Sequence, residues 1–300
     1  MTTFSIAQNL DQALQALADG ARPVAGGTDL VVASRQGKSP LPDTLVAIDR
    51  LDELAGVALN DEGLRIGAMV THAQLMVDPT IVGHYSAIAD AAALVGSPST
   101  RNVGTLGGNV MNGSPAMDTG APLMVLGATA ELQTTTASRQ VSMHQLWTGP
   151  GQISAGGDEL CVALNMPAPP ANSGSAYVRL EYRRAMEIAV VGAAASVTLD
   201  PDGNIAEAQI ALTAVAPTIL PVDLGDTVSG KPVDDTTLAA VADIASETAT
   251  PISDLRASDR YRRHTVGVMA RRALEAAARR ASGETIAIPV NRAIGIGAAR

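Results

Sequence analysis

Residues 23–30 read Pro23-Val24-Ala25-Gly26-Gly27-Thr28-Asp29-Leu30, and a second glycine turn follows about eighty residues later, Thr105-Leu106-Gly107-Gly108-Asn109. A pair of glycines lets the main chain approach a ligand and turn successive N–H groups into one concavity, because no Cβ blocks the way. Two such concavities suit a ligand with two phosphates, such as a dinucleotide. The first turn also precedes a predicted helix, whose unpaired N–H groups and dipole favour an anion.

Small polar side chains accompany both turns. Thr28 and Asp29 follow the first, and Ser114-Pro115-Ala116-Met117-Asp118 closely follows the second. These hydroxyls and carboxylates suit phosphate oxygens and sugar hydroxyls. The ordinary alternative for the first turn is a tight strand-to-helix connection, and for the second it is close packing between layers. The second turn holds Gly104, Gly107 and Gly108 within five residues, which exceeds what packing usually needs.

Composition narrows the class of protein. The 300 residues suffice for two domains with their own cores, and 46% of them are hydrophobic but only 2% aromatic. A net charge of -9 argues against nucleic acid as the main partner. Cys161 is the only cysteine, so the chain cannot hold an iron–sulfur cluster, which takes about four thiolates. With no signal peptide visible and no apolar run near the roughly 20 residues of a membrane span, we expect a cytoplasmic protein.

The hydrophobic periodicity predicts an α+β fold in two domains. The proline- and glycine-rich run 167–174 predicts a boundary between residues 1–168 and 174–283, with a tail over 284–300. Residues 96–122 lack periodicity and are expected to form an ordered, buried loop. The predicted helices cover 9–19, 29–34, 71–77, 86–94, 123–128, 236–247 and 258–282. The predicted strands cover 45–49, 64–68, 130–133, 176–181, 189–199 and 205–214.

Charged residues offer fewer signals. The histidines have no partner at metal-ligand spacing and are expected to be surface or capping residues. Eight arginines lie between Arg256 and Arg280, for which a solvated helix face is favoured and a docking surface for an acidic partner is the alternative. A smaller arginine cluster, Arg179 with Arg183 and Arg184, lies near the domain junction, where ligands often bind.

The order and spacing of these motifs resemble the FAD-binding medium subunit of the molybdenum hydroxylases, the xanthine dehydrogenase and aerobic carbon monoxide dehydrogenase family. The resemblance continues through residues 182–192, which begin Tyr182-Arg183-Arg184-Ala185-Met186, and reaches Arg262-Arg263-His264. It implies a two-part FAD-binding domain of the vanillyl-alcohol-oxidase type, followed by a small α+β domain with an antiparallel sheet and helices.

The resemblance also implies roles for individual residues. Residues Pro23 to Leu30 would wrap the pyrophosphate, and Thr105 to Asn109 would complete the cradle near the ribityl chain. Asp118 would bind a cofactor hydroxyl, and Val95 and Val162 would line the cofactor. Arg179 stands where relatives often carry lysine near the flavin, which keeps the charge but changes its geometry. No residue of this chain is assigned an acid–base or metal-binding role.

The function implied is electron transfer within a complex. A large subunit would carry molybdopterin and a small subunit two [2Fe–2S] clusters, in a dimer of heterotrimers. Electrons would pass from those clusters through FAD to an external acceptor. Two alternatives are a stand-alone FAD-dependent oxidoreductase of the same fold and a non-catalytic protein that has kept the fold. Copurification of a yellow protein with molybdenum and iron–sulfur chains would distinguish an electron-transfer subunit of a complex from both alternatives.

Overall fold

The computed structural model describes residues 2–295, and its main sheets follow one another along the chain. The strands are β1 (Thr3–Ile6), β2 (Arg22–Val24), β3 (Thr44–Ala47), β4 (Val57–Asn60), β5 (Gly63–Gly67), β6 (Thr129–Gln133), β7 (Ser138–Ser142), β8 (Trp147–Gly149), β9 (Gln152–Ile153), β10 (Leu160–Pro167), β11 (Ser173–Leu180), β12 (Val191–Leu199), β13 (Ile205–Thr213) and β14 (Leu220–Val222). The helices are α1 (Leu10–Ala18), α2 (Thr28–Arg35), α3 (His72–Leu75), α4 (Pro79–His84), α5 (Ser86–Leu94), α6 (Pro98–Arg101), α7 (Leu106–Met111), α8 (Gly120–Val125), α9 (Met143–Leu146), α10 (Asp235–Thr248), α11 (Asp259–Ala281) and α12 (Val290–Ala293).

The first half of the chain builds two sheets that place the glycine turns. A parallel three-stranded sheet has the order β1-β3-β2, and the first glycine turn leaves its edge strand β2. An antiparallel five-stranded sheet has the order β4-β5-β10-β6-β7, and the segment with the second turn lies between β5 and β6 in the chain. The five-stranded sheet packs against a large buried hydrophobic cluster, and a smaller cluster joins the parallel sheet to Leu160 and Val162 of β10.

The second half builds an antiparallel sheet of order β11-β12-β13-β14, with α10 and α11 packed against it. Alanine and valine dominate this core, as the scarcity of aromatic residues requires. Helix α5 from the first half lies against β11, so the two halves share buried contacts. Residue Val290 of the C-terminal segment is also part of this core.

Most predicted helices are confirmed, and polar side chains cap several of them. Asn9 caps α1, Thr71 forms a capping box on α3, and Ser258 caps α11. Residues 96–122 were predicted to be a loop, but the short helices α6, α7 and α8 occupy much of that segment. Tyr261 in the first turn of α11 is exposed, and the buried residues of that helix begin at Arg262. Within residues 2–295, no helix combines the length and apolar character needed to cross a membrane.

Candidate functional site

The first glycine turn connects β2 to α2 and leaves the start of that helix open. Gly27 adopts a left-handed conformation with φ of 67°, which glycine tolerates without a steric penalty. No side chain caps α2 at Gly27, and the helix has no buried residue. The N–H groups of its first turn have no acceptor within the helix. This end of α2 therefore offers unsatisfied donors and a positive dipole to an anion.

The two glycine turns meet in space. A Cβ on Gly26 would fall inside the Val103 carbonyl group, so only glycine allows this approach of the two main chains. From the other side, a Cβ on Gly104 would lie 3.6 Å from Thr28 Oγ1, and one on Gly108 would lie 3.8 Å from Ala25 Cβ. The predicted residues Pro23, Val24, Ala25 and Leu30 are half-buried around this junction.

The second turn differs from the sequence expectation in one respect. We expected both turns to offer main-chain amides, but the Leu106 and Gly107 N–H groups donate to the Val70 and Ala68 carbonyls, both at 2.9 Å. The Gly108 N–H donates to Thr105 Oγ1 at 3.1 Å, as a helix cap. Gly107 also packs closely on Ala68, since a Cβ there would lie 2.6 Å from Ala68 Cβ. The second turn therefore supports the first, and the donors left open lie at the start of α2.

Asp118 lies in a buried polar network on the other side of the second turn. The hydroxyl of Tyr177 donates to Asp118 Oδ1 at 2.8 Å, and Arg179 Nη1 donates to Asp118 Oδ2 at 2.7 Å. The Arg179 guanidinium also donates to Glu181. Arg179 is 0% exposed, so it is enclosed by these carboxylates. Direct contact of Asp118 or Arg179 with the cofactor stays a prediction, whereas their contact with each other is observed.

The network holds one cation between two carboxylates. Burial raises the pKa of Asp118, and Glu181 raises it further, against the lowering effect of Arg179 and Tyr177. Burial alone would lower the pKa of Arg179, but Asp118 and Tyr177 raise it above its ordinary value, so the guanidinium stays charged. Burial raises the pKa of Tyr177 as well, which keeps its hydroxyl a donor.

Other predicted residues lie close to the turns. Thr119 Oγ1 donates to Asn109 Oδ1 at 2.6 Å, which links the second turn to the loop that carries Asp118. The Val162 carbonyl accepts from the Ala68 N–H at 3.0 Å, and Ala68 in turn holds Gly107. Val95 is half-buried at the end of α5, and its carbonyl accepts from Arg101 Nη1 at 2.9 Å.

Sequence reasoning missed Tyr177 and Glu181. Tyr177 and Arg179 alternate along β11 and so point to one face, and Glu181 follows the end of that strand. The available signal was the alternate spacing of a tyrosine and two charged residues at positions 177, 179 and 181.

His72 was expected at the surface or at a cap, and this prediction is wrong. It is 2% exposed, and its ring Cδ2 lies 3.4 Å from the position of a Cβ on Gly104. Its Nδ1 has no hydrogen-bond partner among the described residues. Burial, helped by Arg101, lowers the pKa of His72 from 6.5 to about 4. His72 is therefore neutral at pH 7 beneath the second turn.

His72 should make the protein sensitive to acid. Its charged form is penalised in the folded state, so the full stability is present above pH 6.5 and is lost as the pH falls towards about 4. The loss amounts to about 3 kcal/mol, at about 1.4 kcal/mol per pKa unit. We expect His72→Leu to flatten this pH dependence in urea denaturation, and the exposed His84→Leu to leave it unchanged. Parallel curves for the native protein and His72→Leu would show that another group is responsible.

The arginine-rich stretch 256–280 is not simply a solvated face. Arg262 is buried and donates to the Val190 and Ala214 carbonyls and to Asp254. Arg280 pairs with the fully buried Asp90 at 2.6 Å. The expectation of a solvated face is wrong for these two residues, because the Val190, Ala214 and Asp90 acceptors lie far away in the sequence.

Comparison with known protein families identifies the chain. Residues 1–169 match the family described as the FAD binding domain in molybdopterin dehydrogenase. Residues 176–277 match the CO dehydrogenase flavoprotein C-terminal domain. The chain belongs to the FAD-binding subunits of the molybdenum hydroxylases.

Individual relatives match this FAD-binding subunit over nearly their whole length. The xanthine dehydrogenase FAD-binding subunit of Escherichia coli is 33% identical over 287 residues, 94% of this chain and 98% of the relative. The carbon monoxide dehydrogenase medium chain of Afipia carboxidovorans is 32% identical over 269 residues, 89% of this chain and 92% of the relative.

Solved structures give the same result. Reconstituted CO dehydrogenase from Oligotropha carboxidovorans matches with a TM-score of 0.88 and 30% identity, covering 93% of this chain and 98% of that chain. Quinoline 2-oxidoreductase from Pseudomonas putida 86 matches with a TM-score of 0.87 and 27% identity, covering 94% and 98%.

The residues of this subunit fit FAD. The uncapped start of α2 offers main-chain donors suited to a pyrophosphate. A Cβ at Gly26 would overlap the Val103 carbonyl, so the glycine lets the two turns come together beside the open start of α2. Polar groups of the second turn and of the Asp118 loop lie next to this junction. The donor set and the close approach of main chain both match a dinucleotide.

Proposed function

We propose that this chain binds FAD where its two glycine turns meet and serves as the electron-transfer subunit of a molybdenum hydroxylase complex. The observation that carries this proposal is the open start of α2, held against the second turn by Gly26. FAD supplies the capacity to accept electrons one at a time and to release them to an acceptor as a pair. The protein supplies binding, orientation and the electrostatic surroundings.

The named residues divide these tasks. Residues Pro23 to Leu30 would wrap the pyrophosphate, with donors at the start of α2. Residues Thr105 to Asn109 would complete the cradle near the ribityl chain, and Asp118 would bind a cofactor hydroxyl. Val95 and Val162 would line the cofactor; in support, the Val162 carbonyl accepts from the N–H of Ala68, which packs on Gly107. Arg179 fixes the carboxylate of Asp118 and keeps its charge balanced. None of these residues has to transfer a proton for electrons to pass.

The partners are part of the proposal. A small subunit with two [2Fe–2S] clusters would deliver electrons, and a large molybdopterin subunit would oxidise the substrate, in a dimer of heterotrimers in the cytoplasm. The relatives are named as subunits or medium chains of enzymes for xanthine and carbon monoxide, and a similar structure belongs to a quinoline enzyme. One type of FAD-binding chain thus accompanies different substrates, which supports substrate selection on the partner. These names favour a complex over a stand-alone FAD-dependent oxidoreductase.

We also propose the finer architecture. The parallel sheet and the five-stranded sheet would be the two parts of an FAD-binding domain of the vanillyl-alcohol-oxidase type. The domains would span residues 1–168 and 174–283, with a tail over 284–300. In support, β1 to β10 lie before residue 168 and β11 to β14 after residue 172. Residues 296–300 of the tail lie outside the described residues.

Purification with and without the partners tests the proposal. The chain expressed with its neighbouring subunits should copurify with them, with one FAD per chain and with iron and molybdenum in the complex. The chain expressed alone should bind FAD but should reduce no acceptor with the complex's substrate. Substrate turnover by the isolated yellow protein would support the stand-alone alternative instead. A colourless chain that takes up no added FAD would reject FAD binding.

A further inference from the structure

The C-terminal segment returns to the edge of β11 and holds the main chain of Arg179. Asn291 Oδ1 accepts from the Arg179 N–H at 3.0 Å, and Asn291 Nδ2 donates to the Arg179 carbonyl at 2.7 Å. One side chain thus replaces both hydrogen bonds that a neighbouring strand would supply. Asn291 is 0% exposed, so both bonds are made away from water, where an unpaired amide would be costly.

The same edge is covered at the preceding alternate residues. Asp90 accepts from the Tyr177 N–H at 3.2 Å, and Arg280 donates to the Ser175 carbonyl at 2.8 Å. Asp90 also accepts from the Val290 N–H at 2.8 Å, which anchors the segment next to Asn291. The main-chain groups of residues 175, 177 and 179 at the edge of β11 are therefore hydrogen-bonded by the side chains of Arg280, Asp90 and Asn291.

The main-chain position at this edge of β11 sets the positions of the Tyr177 and Arg179 side chains. The Arg179 side chain bonds Asp118, and the Tyr177 side chain bonds the other oxygen of the same carboxylate. A shift of the Arg179 main chain would move the guanidinium away from Asp118 or rotate that carboxylate. Because the network is fully buried, water could not replace the lost contact without opening the core.

We infer that Asn291 is a positioning residue for the cofactor site, acting through the Arg179 main chain on Asp118. This inference rests on the proposed function, in which Asp118 belongs to the FAD site. The Asn291 side chain is hydrogen-bonded to the main chain of Arg179. Its role is to fix where the positive charge stands, and so to set the electrostatic surroundings of the flavin.

The test uses the full-length chain loaded with FAD. Asn291→Ala should weaken FAD binding about 10-fold, corresponding to about 1.4 kcal/mol, and should shift the flavin midpoint potential. The potential is the decisive readout, because loss of stability alone would not move it. Asn204→Ala is the matched control: it removes a half-buried asparagine that contacts Asp200 in the β12–β13 hairpin. It should leave the potential unchanged.

A conservative variant keeps the test valid if Asn291→Ala folds poorly. In Asn291→Asp, a protonated carboxyl can still accept from one group and donate to the other, and burial raises its pKa. Its flavin potential should match the native protein at about pH 5 and depart from it at about pH 8. A potential that departs from the native value equally at both pH values would overturn the inference, since restoring both hydrogen bonds at low pH would then not restore the site.

Asp118→Asn separates this inference from the proposed function. If it shifts the flavin potential and Asn291→Ala does not, the positioning role is overturned and the FAD site stands. If both shift the potential in the same direction, the inference is supported. If neither changes FAD binding or potential, the placement of Asp118 in the cofactor site fails, and the role of Asn291 fails with it.

Discussion

Replacing Gly26 with alanine should abolish retention of FAD during purification. The added Cβ would overlap the Val103 carbonyl group, and main-chain atoms cannot rotate away as a flexible side chain can. The two turns must therefore separate, which moves the start of α2 away from the second turn. We expect FAD binding to weaken about 100-fold or more, about 3 kcal/mol. Overpacking of this kind also lowers the free energy of unfolding by about 1–3 kcal/mol.

Substitutions at Gly27 test the effect of backbone conformation alone, whereas Gly26→Ala tests the close approach of the two turns. A Cβ on Gly27 would meet only ordinary contacts, the nearest at 3.6 Å from Val24 Cγ1, but φ is +67° there. Gly27→Ala should therefore cost about 1–2 kcal/mol from the left-handed conformation alone. The β-branched Gly27→Val should be worse and should abolish FAD retention while the fold survives.

Two glycines elsewhere serve as matched controls. Gly83 has no neighbour within 4 Å of a Cβ and no positive φ, so Gly83→Ala controls for the Gly26 change. Gly203 has φ of +84° and open space, so Gly203→Ala controls for the conformational cost at Gly27. FAD titration by flavin fluorescence and urea denaturation should be run on each preparation. Stoichiometric FAD in Gly26→Ala would contradict the site.

Local features of the fold could be predicted well from the sequence. Helix α5 was predicted over 86–94 and is observed as Ser86–Leu94. Helix α11 was predicted over 258–282 and is observed as Asp259–Ala281. Both succeed because caps, glycine stops and hydrophobic periodicity act within a few residues. The helix predicted after the first glycine turn is observed as α2 for the same reason.

Long-range pairing could not be predicted in the same way. Strand β10 joins β5 to β6 at the centre of its sheet, yet its sequence gave no clear period, since it is buried on both faces. The amides of the second turn bond Ala68 and Val70, which are distant in sequence. Arg179 meets Asp118 across 61 residues and Asn291 across 112. Nothing local in these residues specifies such partners, so their burial appeared only in the structure.

Arg179→Met should have the largest effect on stability. The substitution fills similar space with an apolar chain but leaves Asp118 and Glu181 buried without their cation. Removing one partner of a buried ion pair costs about 3–5 kcal/mol, because the remaining charge is uncompensated. Arg179→Lys should lie in between, since an ammonium keeps the charge but loses the planar fork that reaches both carboxylates. Urea denaturation at pH 7 measures both.

The matched control for Arg179→Met is an arginine whose ion-pair partner is exposed to solvent. Arg271 bonds Asp235, whose side chain is 93% exposed. Exposed pairs contribute less than about 1 kcal/mol. Arg271→Met should therefore change the free energy of unfolding little. If Arg179→Met were as mild as this control, the buried network would not be holding the second half of the chain to the Asp118 loop.

The pH dependence of the free energy of unfolding gives a second test of the buried Arg179–Asp118 ion pair. Burial already raises the pKa of Asp118 in the native protein, so its stabilising effect is fully present below its unfolded pKa and is lost as the pH rises through its folded value. Without Arg179 that pKa should rise further, so the variant should lose stability more steeply than the native protein between about pH 4 and pH 7. Adding Asp118→Asn removes the uncompensated charge and should recover part of the loss. Additive effects of the two substitutions would show that these side chains act independently, against the ion pair seen at 2.7 Å.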